Sequence, residues 1–355
     1  MRIIALALLI AYNASLNSLT LDQKVGQMLM AHFHGEQANQ ESQKLIEQAH
    51  VGGILFYTWA NALSSPEQVR LLCQQLQNSS TTPLFIAVDQ EGGRVNRLKE
   101  GFTQAPCNGS IHTPEEAGSW AALIGNELRE VGINMNLAPV VDVNSNPKNP
   151  VIGDRSYGNH PEFVIDCAKQ AIAAYQNHHI ISVLKHYPGH GDTENDSHVS
   201  LPVVNVNQEV FQSIHLKPFK ELAPKADAIM TAHLLLPLID KHHPATVSKI
   251  LLTDTLRGAF GFSGIIISDS MMMKGLTSQF KSIDEACIAA INAGCDLLIL
   301  GGAELIDKNP TYELTPDDVV RIHQSIVKAV KEGKISEDQI NQSTERILTL
   351  KKKFI

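Results

Sequence analysis

Between Leu184 and Pro202 the chain reads LKHYPGHGDTENDSHVSLP, gathering Lys185, His186, His190, Asp192, Asp196 and His198 around Pro188, Gly189 and Gly191. A run this polar and this rich in backbone breakers is a loop, not a core element. Proton transfer and metal ligation both draw on these side-chain types. Asp196 precedes His198 by two residues. A carboxylate near an imidazole orients the ring and raises its basicity, so the ring can pass a proton in both directions. Asp269 closes the apolar run Ile265-Ile266-Ile267-Ser268 and is followed at once by Met271, Met272 and Met273. A carboxylate there is costly to bury unless it is paired, bonded or used. It can act as a nucleophile towards an electrophilic carbon, or it can cap the next segment.

A metal reading stands beside the acid–base one. His186, His190, Asp192 and His198 fall within thirteen positions and are ligand types that zinc prefers, which would suit a metal-dependent hydrolase. Against it, Pro188 and Gly189 point to backbone shaping in place of a rigid ligand helix.

Short apolar segments must position these groups. Strands are expected at 28–33, 53–56, 84–88, 133–137, 180–184, 228–231, 264–268 and 296–300, spaced widely enough for a helix between neighbours. Helices announce themselves at Ser65-Pro66-Glu67-Gln68, Thr315-Pro316-Asp317-Asp318 and Ser336-Glu337-Asp338-Gln339. Thr113-Pro114-Glu115-Glu116 reads as a capping box, with Ala117, Trp120, Ile124, Leu128 and Val131 at helical spacing behind it. Eight such units predict a single (β/α)8 TIM-like barrel, with the tail after Gly301 forming two helices packed on it. The rival is a doubly wound open sheet, but no glycine-rich dinucleotide loop follows the first strand. On a barrel, the loops that follow the strands share one rim. There the chain places Asp89 to Val95, Asp142, Asp154-Arg155, Lys185-His186, His233 and Asp269.

The 355 residues are 43% hydrophobic with a formal charge of −8, and no basic cluster precedes Lys351-Lys352-Lys353, which argues against nucleic acid as the main partner. The five cysteines show no CxxC spacing and an odd number, so small core residues are expected in place of a disulfide framework. Residues 1–18 hold Arg2 and then IIALALLIAY, too short for a membrane span and long enough for a signal-peptide core; export is expected if it is one, and a cytoplasmic place if the segment instead packs on the domain. No later segment is expected to cross a bilayer. Residues 19–355 are left for the barrel.

Val88-Asp89-Gln90-Glu91-Gly92-Gly93-Arg94-Val95, the run from Lys185 to Thr193, Asp196-Ser197-His198 and Ser268-Asp269 together resemble glycoside hydrolase family 3. They are most similar to its bacterial β-N-acetylglucosaminidase branch, which acts in peptidoglycan recycling. The resemblance covers the chain from Leu19 onwards with the motifs in the same order. It implies a retaining double displacement on terminal β-linked N-acetylglucosamine, without cofactor or metal; a monomer is expected, though the sequence does not fix the oligomeric state. Asp269 matches the family's nucleophile, His198 its acid/base and Asp196 the dyad partner. Asp89, Arg97, Arg155, Lys185 and His186 match its sugar contacts. Arg94 is expected to brace its loop, and Asp142, Asp154 and His190 to be structural. The resemblance leaves hydrolysis and phosphorolysis both open. Ser270-Met271-Met272-Met273 departs from the more polar sequence usual after the nucleophile, and the stretch from Leu19 to Met28 looks like that of exported members. A sugar-binding protein without turnover is the third reading.

Overall fold

The computed structural model describes residues 19–193, 196–197, 200–306 and 309–355. The expected leader at 1–18 and the expected acid/base His198 lie outside the described residues. Eight parallel strands close into a barrel in chain order: β1 (Leu29–Ala31), β2 (Gly53–Phe56), β3 (Phe85–Val88), β4 (Met135–Asn136), β5 (Ile181–Tyr187), β6 (Ala228–Thr231), β7 (Ile265–Ser270) and β8 (Leu297–Leu300). Closure rests on β8 pairing with β1, with Leu29 opposite Leu298 and Ala31 opposite Leu300, which excludes the open sheet. A barrel strand buries one face in the interior and the other under helices, so it reads as a continuous apolar run. Every residue of β5, which ends in the polar Lys185-His186-Tyr187, is accordingly buried.

The four helix-start signals act as caps. Ser65, Thr113, Thr315 and Ser336 each accept a backbone N–H from three residues on, which typically stabilises a helix end by ~1 kcal/mol. The box expected at Thr113 is only half formed, because Glu116 reaches past it and accepts from the His112 N–H at 2.9 Å.

Two elements differ from expectation. The fourth strand, expected over 133–137, pairs only at Met135–Asn136. Side-chain amides replace the missing ladder: Asn134 accepts from the Ile86 N–H and donates to the Leu84 carbonyl, and Asn136 does the same for Gln90. The tail after Gly301 does not pass directly into helices. An antiparallel hairpin, Ala303–Ile306 with Asn309–Glu313, comes first, and then the two helices Pro316–Lys331 and Glu337–Phe354. The hairpin strands are too short for alternation to reveal them.

The last helix is fastened beneath the barrel by Asp296, fully buried just before β8. Arg257 and Arg346 pair with it, Ser343 donates to it, and so does the Ile266 N–H. Cys73, Cys167, Cys287 and Cys295 are buried thiols, as expected of core residues. No helix among the described residues is long and apolar enough to cross a membrane.

Candidate active site

At the C-terminal mouth of the barrel lies a cavity of about 240 Å³, lined by Asp89, Arg97, Arg155, Lys185, His186, Asp196 and Asp269 among others. Every described residue singled out as catalytic or sugar-binding reaches it. Neighbouring strand residues ordinarily point to opposite faces, yet Lys185 and His186 both line the cavity, as do Asp269 and Ser270. The register shows how. Between Leu184↔Ile229 and Tyr187↔Thr231, β5 carries one residue more than β6, and between Ile267↔Leu297 and Ser270↔Ile299, β7 carries one more than β8. Each extra residue is a bulge that re-aims side chains, and the two bulges fall on Lys185-His186 and Ser268-Asp269.

Behind the cavity runs a chain of alternating charges. Lys185 Nζ lies 2.7 Å from Asp89 Oδ1 and 2.6 Å from Glu91 Oε1. Glu91 in turn receives Arg155 in a fork, Nε to Oε2 at 2.9 Å and Nη2 to Oε1 at 2.8 Å. Arg155 Nη2 lies 3.3 Å from His186 Nε2, and His186 Nδ1 faces Asp142 Oδ2 at 2.7 Å. Burial alone would push the Glu91 carboxyl up; the Arg155 and Lys185 charges outweigh it and hold the group well below the usual carboxylate range. Asp142 behaves likewise, with burial opposed by His186. Burial would strip Lys185 of its proton, but Asp89 and Glu91 raise its pKa instead. The ammonium is therefore charged and held rigidly, with little freedom to lose on meeting a ligand.

The loop after β3 is shaped from within. Gln90 Oε1 accepts from the backbone N–H groups of Arg97 and Leu98, which brings Arg97 back over the cavity, its Nη2 at 3.8 Å from Asp89 Oδ2. Gly92 has φ +100°, and a Cβ there would strike the Pro106 carbonyl, so only glycine fits. Arg94 braces this loop as expected, through Asp154 at 3.0 Å and the Val151 carbonyl at 2.6 Å, while also lining the cavity.

Opposite stand Asp269 and the segment Asp196-Ser197. Asp269 Oδ1 accepts from the Ser270 N–H at 2.7 Å. Ser270 is itself held by its hydroxyl on the Gly301 carbonyl and by His233 Nε2 on its own carbonyl at 2.8 Å. His233 thus braces β7 from behind. Ser197 is pinned through its hydroxyl to His190 Nε2 at 3.1 Å and through its carbonyl to the Gly275 N–H at 3.0 Å. Burial lowers the His190 pKa to about 4, so this ring is neutral and serves as a strut, as expected for a structural residue.

The metal quartet does not gather among the described residues. His186 is spoken for by Asp142 on one nitrogen and faces a guanidinium with the other, a neighbour no cation would tolerate. His190 spends its two nitrogens on Thr193 and Ser197, and Asp192 accepts from Ser145. Sequence reasoning gave no role to Glu91 or Tyr57, although Glu91 stands within the Asp89–Val95 motif. Its importance shows only through Arg155, 64 residues away. Tyr57, which also lines the cavity, follows β2 without any polar signal.

A parallel barrel whose mouth is lined by fixed carboxylates, an ammonium, guanidiniums and imidazoles is the arrangement this fold uses for a polar-ligand site. Residues 20–350 match the profile described as "Glycosyl hydrolase family 3 N terminal domain", and the chain belongs to that family. It is 34% identical to Beta-hexosaminidase A of Pseudoalteromonas piscicida over 95% of its own length and 62% of the relative's. It is 32% identical to a Beta-hexosaminidase of Idiomarina loihiensis, over 85% of its length and 93% of the relative's. Among solved structures it superposes on a glycoside hydrolase family 3 beta-N-acetylglucosaminidase from Paenibacillus sp. with a TM-score of 0.88 and 39% identity, covering 95% of this chain and 63% of that one. A Beta-N-acetylhexosaminidase from Beutenbergia cavernae gives a TM-score of 0.83 at 26% identity, covering 94% of this chain and 99% of that one. The chain thus spans about three fifths of the Pseudoalteromonas and Paenibacillus proteins.

Proposed function

We propose that this chain is a retaining β-N-acetylglucosaminidase that removes terminal β-linked N-acetylglucosamine from peptidoglycan-derived muropeptides or related glycans. The observation that carries the reading is the placement of Asp269 on the same cavity as Asp196 and the Asp89–Lys185–Glu91–Arg155 chain. The names borne by the relatives support an N-acetylhexosamine as the sugar.

In this mechanism a carboxylate oxygen of Asp269 attacks the anomeric carbon while His198 protonates the departing glycosidic oxygen. A glycosyl ester forms as the bond to the aglycone breaks. His198, now neutral, takes a proton from water, whose oxygen attacks the same carbon and frees Asp269. Two inversions leave the β configuration. Asp196 orients His198. Asp89, Arg97, Arg155, Lys185 and His186 grip the sugar's polar groups, and the fixed charges behind them require no reorganisation during reaction.

The test is release of nitrophenol from the β-N-acetylglucosaminide and the β-glucoside, with and without EDTA, for wild type, Asp269→Ala and His198→Ala. The N-acetyl substrate should be preferred and EDTA without effect. Asp269→Ala should be inactive, and His198→Ala should fall by roughly 10²–10⁴-fold, the usual reach of general acid–base catalysis. Loss of activity with EDTA, or an α anomer as first product by NMR, would overturn the mechanism.

A further inference from the structure

Beside the cavity but not lining it, β1 runs on into His32-Phe33-His34, and the hairpin after β8 ends at Glu313. Residues two apart on an extended segment share a side, and here both imidazoles turn to the same carboxylate. His32 Nε2 lies 3.4 Å from Glu313 Oε2, and His34 Nε2 lies 2.8 Å from Oε1. One ligand atom from each of the three side chains lies within 4.8 Å of the others. We infer that His32, His34 and Glu313 form a binding site for one divalent transition-metal ion of the zinc class, joining the loop after β1 to the hairpin after β8.

The donor set decides the class. Two imidazole nitrogens and one carboxylate oxygen suit zinc with water in the fourth position, whereas calcium and magnesium want oxygen ligands. The geometry is close to what the ion needs. Bonds of about 2.0–2.1 Å in a tetrahedron hold the ligand atoms roughly 3.3 Å apart, so small rotations suffice. His32, 1% exposed in its side chain, is the fixed ligand, wedged against Tyr57 and Trp59 with ring centroids 5.6 and 5.1 Å away. His34 and Glu313, at 48% and 37%, can turn, and they leave the site open to water. The Nδ1 of His32 has no hydrogen-bond partner in the structure, so turning Nε2 onto an ion disrupts no hydrogen bond on the other side of the ring.

The site also touches the cavity's wall. Tyr57 lines the cavity and stacks on Trp59 at 5.1 Å, and Trp59 stands 5.4 Å from His34.

The test is titration of the chelator-treated full chain with zinc, followed by calorimetry and by tryptophan fluorescence, for wild type, His34→Ala, Glu313→Gln and Asp269→Asn. Wild type and Asp269→Asn should bind one saturable equivalent that changes the emission. His34→Ala and Glu313→Gln should each weaken binding at least tenfold, with apo melting temperatures unchanged because both side chains lie at the surface. Absence of saturable binding to wild type overturns the inference. So does binding whose affinity is unchanged in both surface variants, or lost only in Asp269→Asn, since either outcome puts the ion elsewhere.

Discussion

Replacing Glu91 by glutamine preserves the side chain's shape and removes one charge from the middle of a buried ion chain. Its carboxylate is 1% exposed and receives Lys185 at 2.6 Å and Arg155 at 2.8 and 2.9 Å. Glutamine offers one acceptor oxygen and forces an NH2 against a cation, leaving Lys185, 2% exposed, with Asp89 as the one anion in contact among the described residues. Breaking a buried pair by removing one partner costs about 3–5 kcal/mol. Unfolding entropy of about 2.1 cal/mol/K per residue turns this into a melting temperature lower by roughly 4–7 °C. Turnover should fall with it, because Lys185 and Arg155 lose their anchor and a displacement of about 1 Å can cost ~10²-fold. The decisive assay is a double-mutant cycle in urea with Lys185→Met. Removing the ammonium as well relieves the unpaired charge, so the double variant should be less destabilised than the sum of the singles by about 1–3 kcal/mol. Additivity within about 0.5 kcal/mol, or an unchanged melting temperature for Glu91→Gln, would refute the claim that the chain acts as one unit.

Three further outcomes follow from other contacts. A Cβ at Gly275 would lie 2.8 Å from the Ser197 carbonyl oxygen and 3.2 Å from that of His233, so Gly275→Ala should push the Asp196-Ser197 segment away, lowering kcat by ~10²-fold with a smaller loss of stability. An equal loss of stability would show that the glycine serves the fold instead. Burial depresses Lys351 to about 7, beside Gln27 Oε1 at 2.7 Å and over the Phe85 ring at 4.8 Å. The unfolded chain keeps that proton up to about pH 10.5, so it binds more proton than the folded state between these values, and stability should rise with pH across that window. Lys351→Met should flatten this slope in urea melts, and an unaltered slope would rule the lysine out as its source. Asp296→Asn should cost about 3–5 kcal/mol by leaving Arg257 and Arg346 unpaired, with faster hydrogen exchange in the helix Glu337–Phe354. Exchange unchanged in that helix would mean Asp296 is not its anchor.

The barrel was legible because its strands are buried on both faces. Ile265 to Ile267 or Leu297 to Leu300 can hardly be read as anything but core, and a polar run that follows such a strand has one rim to occupy. The helix starts were equally plain, since a cap is settled within four residues. β4 was harder. Its expected ends are held by the amides of Asn134 and Asn136, groups that read as ordinary polar residues until Ile86 and Gln90 lie beside them.

Residue types and local order in this chain therefore establish the alternation of strands and helices, the list of reactive side chains and the rim on which they meet. Distance along the chain is where that reading ends. The bulges that turn Lys185-His186 and Asp269-Ser270 into the cavity exist only relative to the neighbouring strands. Glu91 gains its importance from Arg155, 64 residues away, and His32 meets Glu313 across 281. Local pattern reports which side chains a segment buries. A charge's partner, and with it the charge's state and reach, is assigned only when the barrel closes and brings the ends of distant strands within a few ångströms.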